Sequence, residues 1–206
     1  MKTTRLIVVL TIAIGLGLAF CNYLTTRRAE RFVAAVRQLD VGSNESAGVL
    51  GIAERFRTNV TNSSTVCDPD SCSVEFAFQN PLLKLLRIQT LSRLDAGLRV
   101  ENHRVGYVYL AFGTGGGAKP SSVVNVMEFS DSVPGGYRLD VLPRGQNNVP
   151  RIFVRFDKSA SDSEKESSFD LNLSCLNRPF KCRDAYDLAP SLPQRPEARS
   201  LLPNAS

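Results

Sequence analysis

The chain has 206 residues, 43% of them hydrophobic and 22% charged, a balance that suits one folded domain with appendages and excludes full disorder. With 25 Lys and Arg against 20 Asp and Glu, the formal charge is +5. One His and no Trp leave little scope for histidine-based proton or metal chemistry.

Leu6 to Leu24 (LIVVLTIAIGLGLAFCNYL) carries no charge and follows Lys2 and Arg5. As a helix it spans roughly 28 Å at about 1.5 Å per residue, close to the apolar thickness of a bilayer. No polar face interrupts it, which argues against a soluble amphipathic helix. Residues 1–26 therefore read as a transmembrane signal-anchor. Two alternatives are a signal peptide cleaved at the small-residue site Gly17-Leu18-Ala19 and a leader lipidated at Cys21. Tyr23 fits an interfacial aromatic. Lys2 and Arg5 on one side face Arg27, Arg28, Arg31 and Arg37 on the other, so Lys and Arg alone slightly favour a cytoplasmic C-terminal side.

Residues 27–57 read as amphipathic helical segments. Phe32, Val36 and Leu39 form one stripe; Val49, Ile52, Ala53 and Phe56 form a second, with Ser43 or Asn44 as a cap. Residues 58–188 read as an antiparallel β-rich domain, sandwich-like or a curved sheet, giving an α+β class overall. Within it, Thr58–Thr65 is expected as a loop and Ser73–Phe78 as a strand. Asn80-Pro81 should start a helix from 81 to about 88, with an extension to Leu94 as the alternative. Strands are expected at Gly97–Glu101 and Arg104–Phe112 around an Asn102-His103 turn. Further strands are expected at Ser122–Phe129, Tyr137–Leu142, Ile152–Phe156 and Phe169–Leu173, with 158–168 a solvated hairpin loop. Residues 189–206, with Pro190, Pro193, Pro196 and Pro203, read as a flexible tail, the alternative being a PxxP docking motif at Pro190–Pro193 or Pro193–Pro196.

Four cysteines lie in two close pairs, Cys67/Cys72 and Cys175/Cys182. Behind a secretory-type segment they read as disulfides. Four cysteines allow three pairings, and proximity favours the two local ones. Zinc would need tighter CxxC-type spacing, and a thioredoxin-like redox role would need CxxC itself. The pairs point to an oxidising space, a periplasm or a secretory lumen, and so against the orientation that Lys and Arg favour.

Other candidate motifs are weak. Gly113-Thr-Gly115-Gly-Gly117-Ala118 matches a dinucleotide fingerprint after a strand, but Val123, Val124 and Val126 favour a strand where that fingerprint needs a helix. Lys119 is followed by Pro120, not by the hydroxyl residue of a P-loop. His103 falls in a turn, and no nucleophile elbow accompanies it. Asp68 and Asp70 resemble half of a calcium loop. Asp162, Glu164 and Glu166 read as a solvated tip. Lys84, Arg87, Arg93, Arg99 and Arg104 form a basic stretch, offset by Asp95 and Glu101, that reads as a generic charged surface, with attraction to anionic lipid headgroups as the alternative. Asn44, Asn59, Asn62, Asn172 and Asn204 lie in glycosylation sequons.

The layout of an apolar N-terminal helix, an amphipathic extension, an antiparallel sheet and a late cysteine loop resembles a type IV pilin-like subunit. The Gly-Phe processing site and the early glutamate of that family are absent, so the resemblance is one of layout. The sequence thus leads to a single-pass membrane-anchored extracytoplasmic protein. It reads as a non-enzymatic interaction module of the cell envelope, without cofactor or metal, with the membrane and an envelope protein as partners and no nucleic acid. A structural subunit of a surface or secretion assembly is the alternative.

Overall fold

In a computed structural model, residues 2–43, 46–57, 60, 62–68, 70–85, 90–116, 119–142, 151–182 and 184–193 are described. One helix, α1 (Lys2–Arg37), is followed by α2 (Ser46–Phe56). Then come β1 (Asn62–Cys67), β2 (Ser71–Gln79), α3 (Pro81–Leu85), β3 (Thr90–Glu101), β4 (Arg104–Gly116), β5 (Lys119–Phe129), β6 (Tyr137–Leu142) and β7 (Arg151–Phe156). Helix α4 (Asp162–Phe169), two short 3-10 turns (Leu173–Leu176, Pro179–Lys181) and α5 (Ala185–Leu188) close the fold.

The strands form one open seven-stranded sheet in the order β1-β2-β3-β4-β5-β7-β6. The class is α+β, and helices cover one face where a sandwich would have a second sheet. Not every pair is antiparallel: β5 and β7 run parallel, Val124 opposite Ile152, and β7 slots between β5 and the edge strand β6. Burial explains the order. Ile152, Val154 and Phe156 of β7 are buried, whereas only Leu139 of β6 is. The more apolar strand takes the interior position, and the more polar one stays at the edge.

The core lies between the sheet and α1. Ala29, Phe32, Val33 and Val36 are buried at helical spacing. The Phe32 ring sits 5.3 Å from Phe56, 4.9 Å from Phe76 and 4.9 Å from Phe78, tying α1, α2 and β2 together. The same helix continues N-terminally without a break. There Val9, Ile12, Leu16, Phe20 and Tyr23 are each more than half exposed. Among the described residues, no helix is long and apolar enough to cross a membrane. The side chains of residues 2–8, Leu10 and Ile14 lie outside those described, so the Leu6–Leu24 run is represented only in part.

Several sequence expectations are corrected. The supposed loop before Thr65 contains β1, which pairs with β2 from Asn62 opposite Ala77. Leu94 lies in β3, not at the end of a helix that begins at Pro81. The Ser-rich 158–168 segment is largely helical. Ser161 caps α4 by accepting from the Glu164 N–H, while the Glu164 carboxylate accepts from the Ser161 N–H. Phe169–Leu173 is the end of that helix and a 3-10 turn rather than a strand. The expected tail starts inside the fold, since Ala189 and Leu192 are buried; residues 194–206 lie outside those described.

The β3–β4 hairpin follows expectation. Asn102 and His103 have φ of 48° and 63°, the left-handed pair that a two-residue turn of matching twist requires. The register slips between Arg99 and Val100, so that Val100 faces Val105 and Arg99 faces Tyr107. This bulge turns Val105 into the core, out of phase with Tyr107 and Tyr109.

Candidate functional site

Among the described residues, the helices leave the other face of the sheet uncovered, and the register sets its rows. Arg99, Tyr107 and Phe129 lie side by side across β3, β4 and β5. The next row runs Glu75, Gly97, Tyr109, Met127, Arg155 and Arg138. The row beyond holds Asp95, Ala111, Asn125, Phe153 and Asp140. All alternate with the buried set, as the two-residue strand period dictates.

The middle of this face is aromatic and half-buried. Tyr107 lies 6.3 Å from Tyr109 and 6.3 Å from Phe129 by ring centroid. Tyr109 occupies the space above Gly97, where a Cβ would come within 1.9 Å of its Cε1. The glycine lets the ring lie flat across the neighbouring strand. Burial raises the Tyr109 phenol above its ordinary range, and the charges of Glu75 and Asp95 add to this.

Arg–carboxylate pairs flank the aromatic strip. On one side Arg93 meets Asp95 at 2.6 Å and Arg99 meets Glu101 at 2.7 Å. On the other, Asp140 accepts from Arg155 at 2.5 Å and Arg138 at 2.9 Å, which holds its carboxyl below the usual range. Rigid aromatics amid paired charges make a surface suited to recognition by stacking and bidentate contacts.

Both cysteine pairs stand at disulfide distance. Cys67 and Cys72 have a Cα–Cα separation of 4.1 Å across the β1–β2 hairpin; Cys175 and Cys182 are at 5.8 Å. Cys175 and Cys182 are buried, while Cys67 is exposed. Cys21 is free and half-buried within the continuous α1.

The remaining sequence candidates are dispersed. His103 lines a cavity of about 190 Å³ with Asp68, Asp70 and the Cys67/Cys72 pair. Among the described residues no group of three His, Cys, Asp or Glu side chains is placed to hold a metal. Gly113, Gly115 and Gly116 belong to β4 and are followed by β5 from Lys119, so a strand stands where the dinucleotide fingerprint needs a helix; Gly117 and Ala118 lie outside the described residues. Glu164 is the cap of α4, held below the usual carboxylate range by bonds from Ser161, and Glu166 pairs with Arg37 at 3.0 Å. Asn172 has its side chain engaged with the Asp187 carbonyl and the Ser174 hydroxyl. Arg87, Asn44, Asn59 and Asn204 lie outside the described residues.

Two features had no counterpart in the sequence reading. Glu128, on the covered face, is buried; desolvation pushes its carboxyl up to about 7, opposed by Lys165 at 4.0 Å and reinforced by Asp40. Where the apolar part of α1 meets the domain, Asn80 donates to the Asn22 side chain at 2.6 Å and to Asn177 at 2.7 Å. Asn177 in turn donates to the Asn22 carbonyl and the Thr26 hydroxyl. Asn80 also accepts from the Leu82 N–H at 3.0 Å.

Compared with known proteins, the chain matches no family model, no curated protein and no solved structure.

Proposed function

We propose that the chain is a single-pass, membrane-anchored domain of the cell envelope. In this reading it faces an oxidising compartment and binds another envelope component, without catalysis of its own. The observation that carries this is the division of α1. Its Ala29–Val36 stretch is core, while Val9–Tyr23 presents apolar side chains to the outside on every described turn. Such a girdle on a projecting helix calls for an apolar surrounding. The uncharged run from Leu6 to Leu24 has the length of a bilayer crossing. Two local disulfides support an oxidising side. The uncovered aromatic face offers the partner site.

One observation favours the second reading, a subunit of a surface or secretion assembly. The stem and the core helix are one unbroken element packed on a mainly antiparallel sheet, with a disulfide loop late in the chain. This retains the pilin-like layout. In an assembly, the stems would pack against each other.

Thiol labelling of the full chain in intact cells, with and without reductant, tests the first reading. Cys67 and Cys72 should react only after reduction, and the buried Cys175 and Cys182 only after reduction and denaturation. A freely reactive Cys67 in unreduced cells would refute the extracytoplasmic placement. Crosslinking separates the two readings, because only the assembly subunit yields oligomers that vanish when Leu16 and Phe20 are replaced by Ala.

A further inference from the structure

The uncovered face of the sheet is not evenly filled. Ala77, Asp95 and Ala111 stand side by side across β2, β3 and β4. In the adjacent row stand Ser64, Glu75, Gly97 and Tyr109, across β1 to β4. Ala77, Gly97 and Ala111 carry a methyl group or no side chain at all, between longer neighbours. The result is a cavity of about 310 Å³ on this face, with Ala77 and Ala111 in its lining.

Its walls have mixed chemistry. The Tyr109 ring lies across Gly97 and supplies an aromatic wall. Burial raises the Tyr109 phenol, and Glu75 and Asp95 add to this, so it stays a protonated hydrogen-bond donor. Arg93 binds Asp95 at 2.6 Å, which fixes both side chains in place. The guanidinium keeps further N–H donors and the carboxylate further lone pairs. Glu75 is exposed and receives the Ser64 hydroxyl at 3.5 Å. Two carboxylates face one guanidinium that is already engaged, so the groove disfavours phosphates and other anions. The charges lie inside the groove, whereas the centre of a protein–protein interface is depleted of them. Among the described residues, no three metal-ligating side chains converge.

We propose that this groove binds a neutral glycan, with one pyranose ring stacked on Tyr109, its hydroxyls donating to Glu75 and Asp95 and accepting from Arg93. The proposal rests on the envelope-binding reading above and names the ligand class for the uncovered face. A sugar ring offers an apolar C–H face and a belt of hydroxyls that both donate and accept. The aromatic wall suits the first, and a fixed Arg–carboxylate pair suits the second without asking the ligand for charge. A few placed polar groups around an apolar surface are what orient a small ligand. Tyr107, 6.3 Å from Tyr109, and Phe129 beyond it extend the aromatic surface for the next sugar of a chain.

The test is calorimetric titration of the full-length protein, in a zwitterionic detergent without a sugar headgroup, with chitotetraose, cellotetraose and maltotetraose. At least one should bind saturably. Tyr109→Ala should weaken that binding about tenfold, the equivalent of one aromatic contact. Glu75→Gln, at an exposed position that leaves the packing alone, should weaken it about tenfold through loss of a charge-assisted hydrogen bond. Glu54→Gln, the same change at an exposed position on α2, should leave it unaltered. No saturable binding of any of the three, or binding that both Glu75→Gln and Tyr109→Ala leave unchanged, overturns the proposal. Failure of all three sugars together with a protein crosslinked through a photoreactive residue in place of Ser64 makes a protein the occupant and also overturns it. The thiol labelling described above reads the compartment separately. If the sugars fail and the labelling holds, the envelope placement stands without the glycan; if a sugar binds and the labelling fails, the site stands and the placement falls.

Discussion

Glu128 makes the stability of the domain depend on pH in a direction opposite to that of ordinary surface carboxylates. Its carboxyl lies on the covered face of β5, and burial raises it from 4.5 to about 7 against the pull of Lys165. In the unfolded chain it titrates near its ordinary value. Between these two values the folded protein binds more protons than the unfolded one, so stability falls as pH rises through that range. The folded state is best served below about pH 4.5 at this site and carries the full cost of ionisation above about pH 7. Each tenfold change in proton affinity corresponds to about 1.4 kcal/mol, giving a ceiling of roughly 3 kcal/mol. Local relaxation and water entry reduce this to about 1–2 kcal/mol.

Glu128→Gln keeps the shape and removes the charge. At pH 8.5 the variant should be more stable than wild type by about 1–2 kcal/mol, or about 3–6 °C in melting temperature for a chain of this size. At pH 5 the two should coincide within a few tenths of a kcal/mol. The assay is thermal unfolding of the full chain in mild detergent, followed by circular dichroism at both pH values. The carboxylates held low, Asp140 with its two arginines and Asp157 with Ser159, lose their contribution only at more acidic pH. A variant that is less stable than wild type at pH 8.5, or one with an unchanged difference between pH 5 and 8.5, would refute the reasoning.

Two further outcomes follow from packing. Phe32→Ala removes a fully buried ring that joins α1 to Phe56, Phe76 and Phe78; denaturant unfolding should register a loss of about 3–5 kcal/mol, and a loss below 1 kcal/mol would mean that α1 is not part of the core. Gly97→Ala drives a Cβ into the Tyr109 ring and should cost about 1–3 kcal/mol; a double-mutant cycle with Tyr109→Ala should recover most of that loss, whereas simple additivity would show that the ring does not lie over Gly97.

The legible parts of this fold were the local ones. Phe32 and Val36, Val49 and Ile52, and the Asn102-His103 turn carry their signals within a few residues, and each stands where the pattern put it. Helix α4 was also written locally, as Ser161-Asp-Ser-Glu164, but its polar composition disguised a capping box as a loop. The parallel β5–β7 pairing was not legible, because a strand period says which face is buried but not which neighbour a strand meets. The same limit hid the candidate surface. Tyr107 and Tyr109 were visible as an alternating set, but only the placement of α1 over the other face leaves them open. Glu128 was invisible for a related reason: the charges that face it, Lys165 and Asp40, are distant from it in sequence.

The joining of stem and core in one helix has a mechanical consequence. No flexible linker separates the apolar girdle at Val9–Tyr23 from the buried Ala29–Val36 stretch. A force or tilt applied to the stem is therefore delivered to the core at Phe32 rather than absorbed in a loop. The Asn22, Asn80 and Asn177 bonds brace the helix where it emerges, and the Cys175–Cys182 bridge closes the loop that carries Asn177. A brace of part-buried amides around the buried Asn80 repays its desolvation only if each partner stays in register, since an orphaned buried donor costs about 1–3 kcal/mol. The geometry thus favours one fixed angle between stem and sheet. With the angle fixed, the aromatic strip of Tyr107, Tyr109 and Phe129 is held in a constant direction relative to the stem. A binding face carried this way would meet its partner already oriented, without the entropy loss that a tethered but freely turning domain would pay.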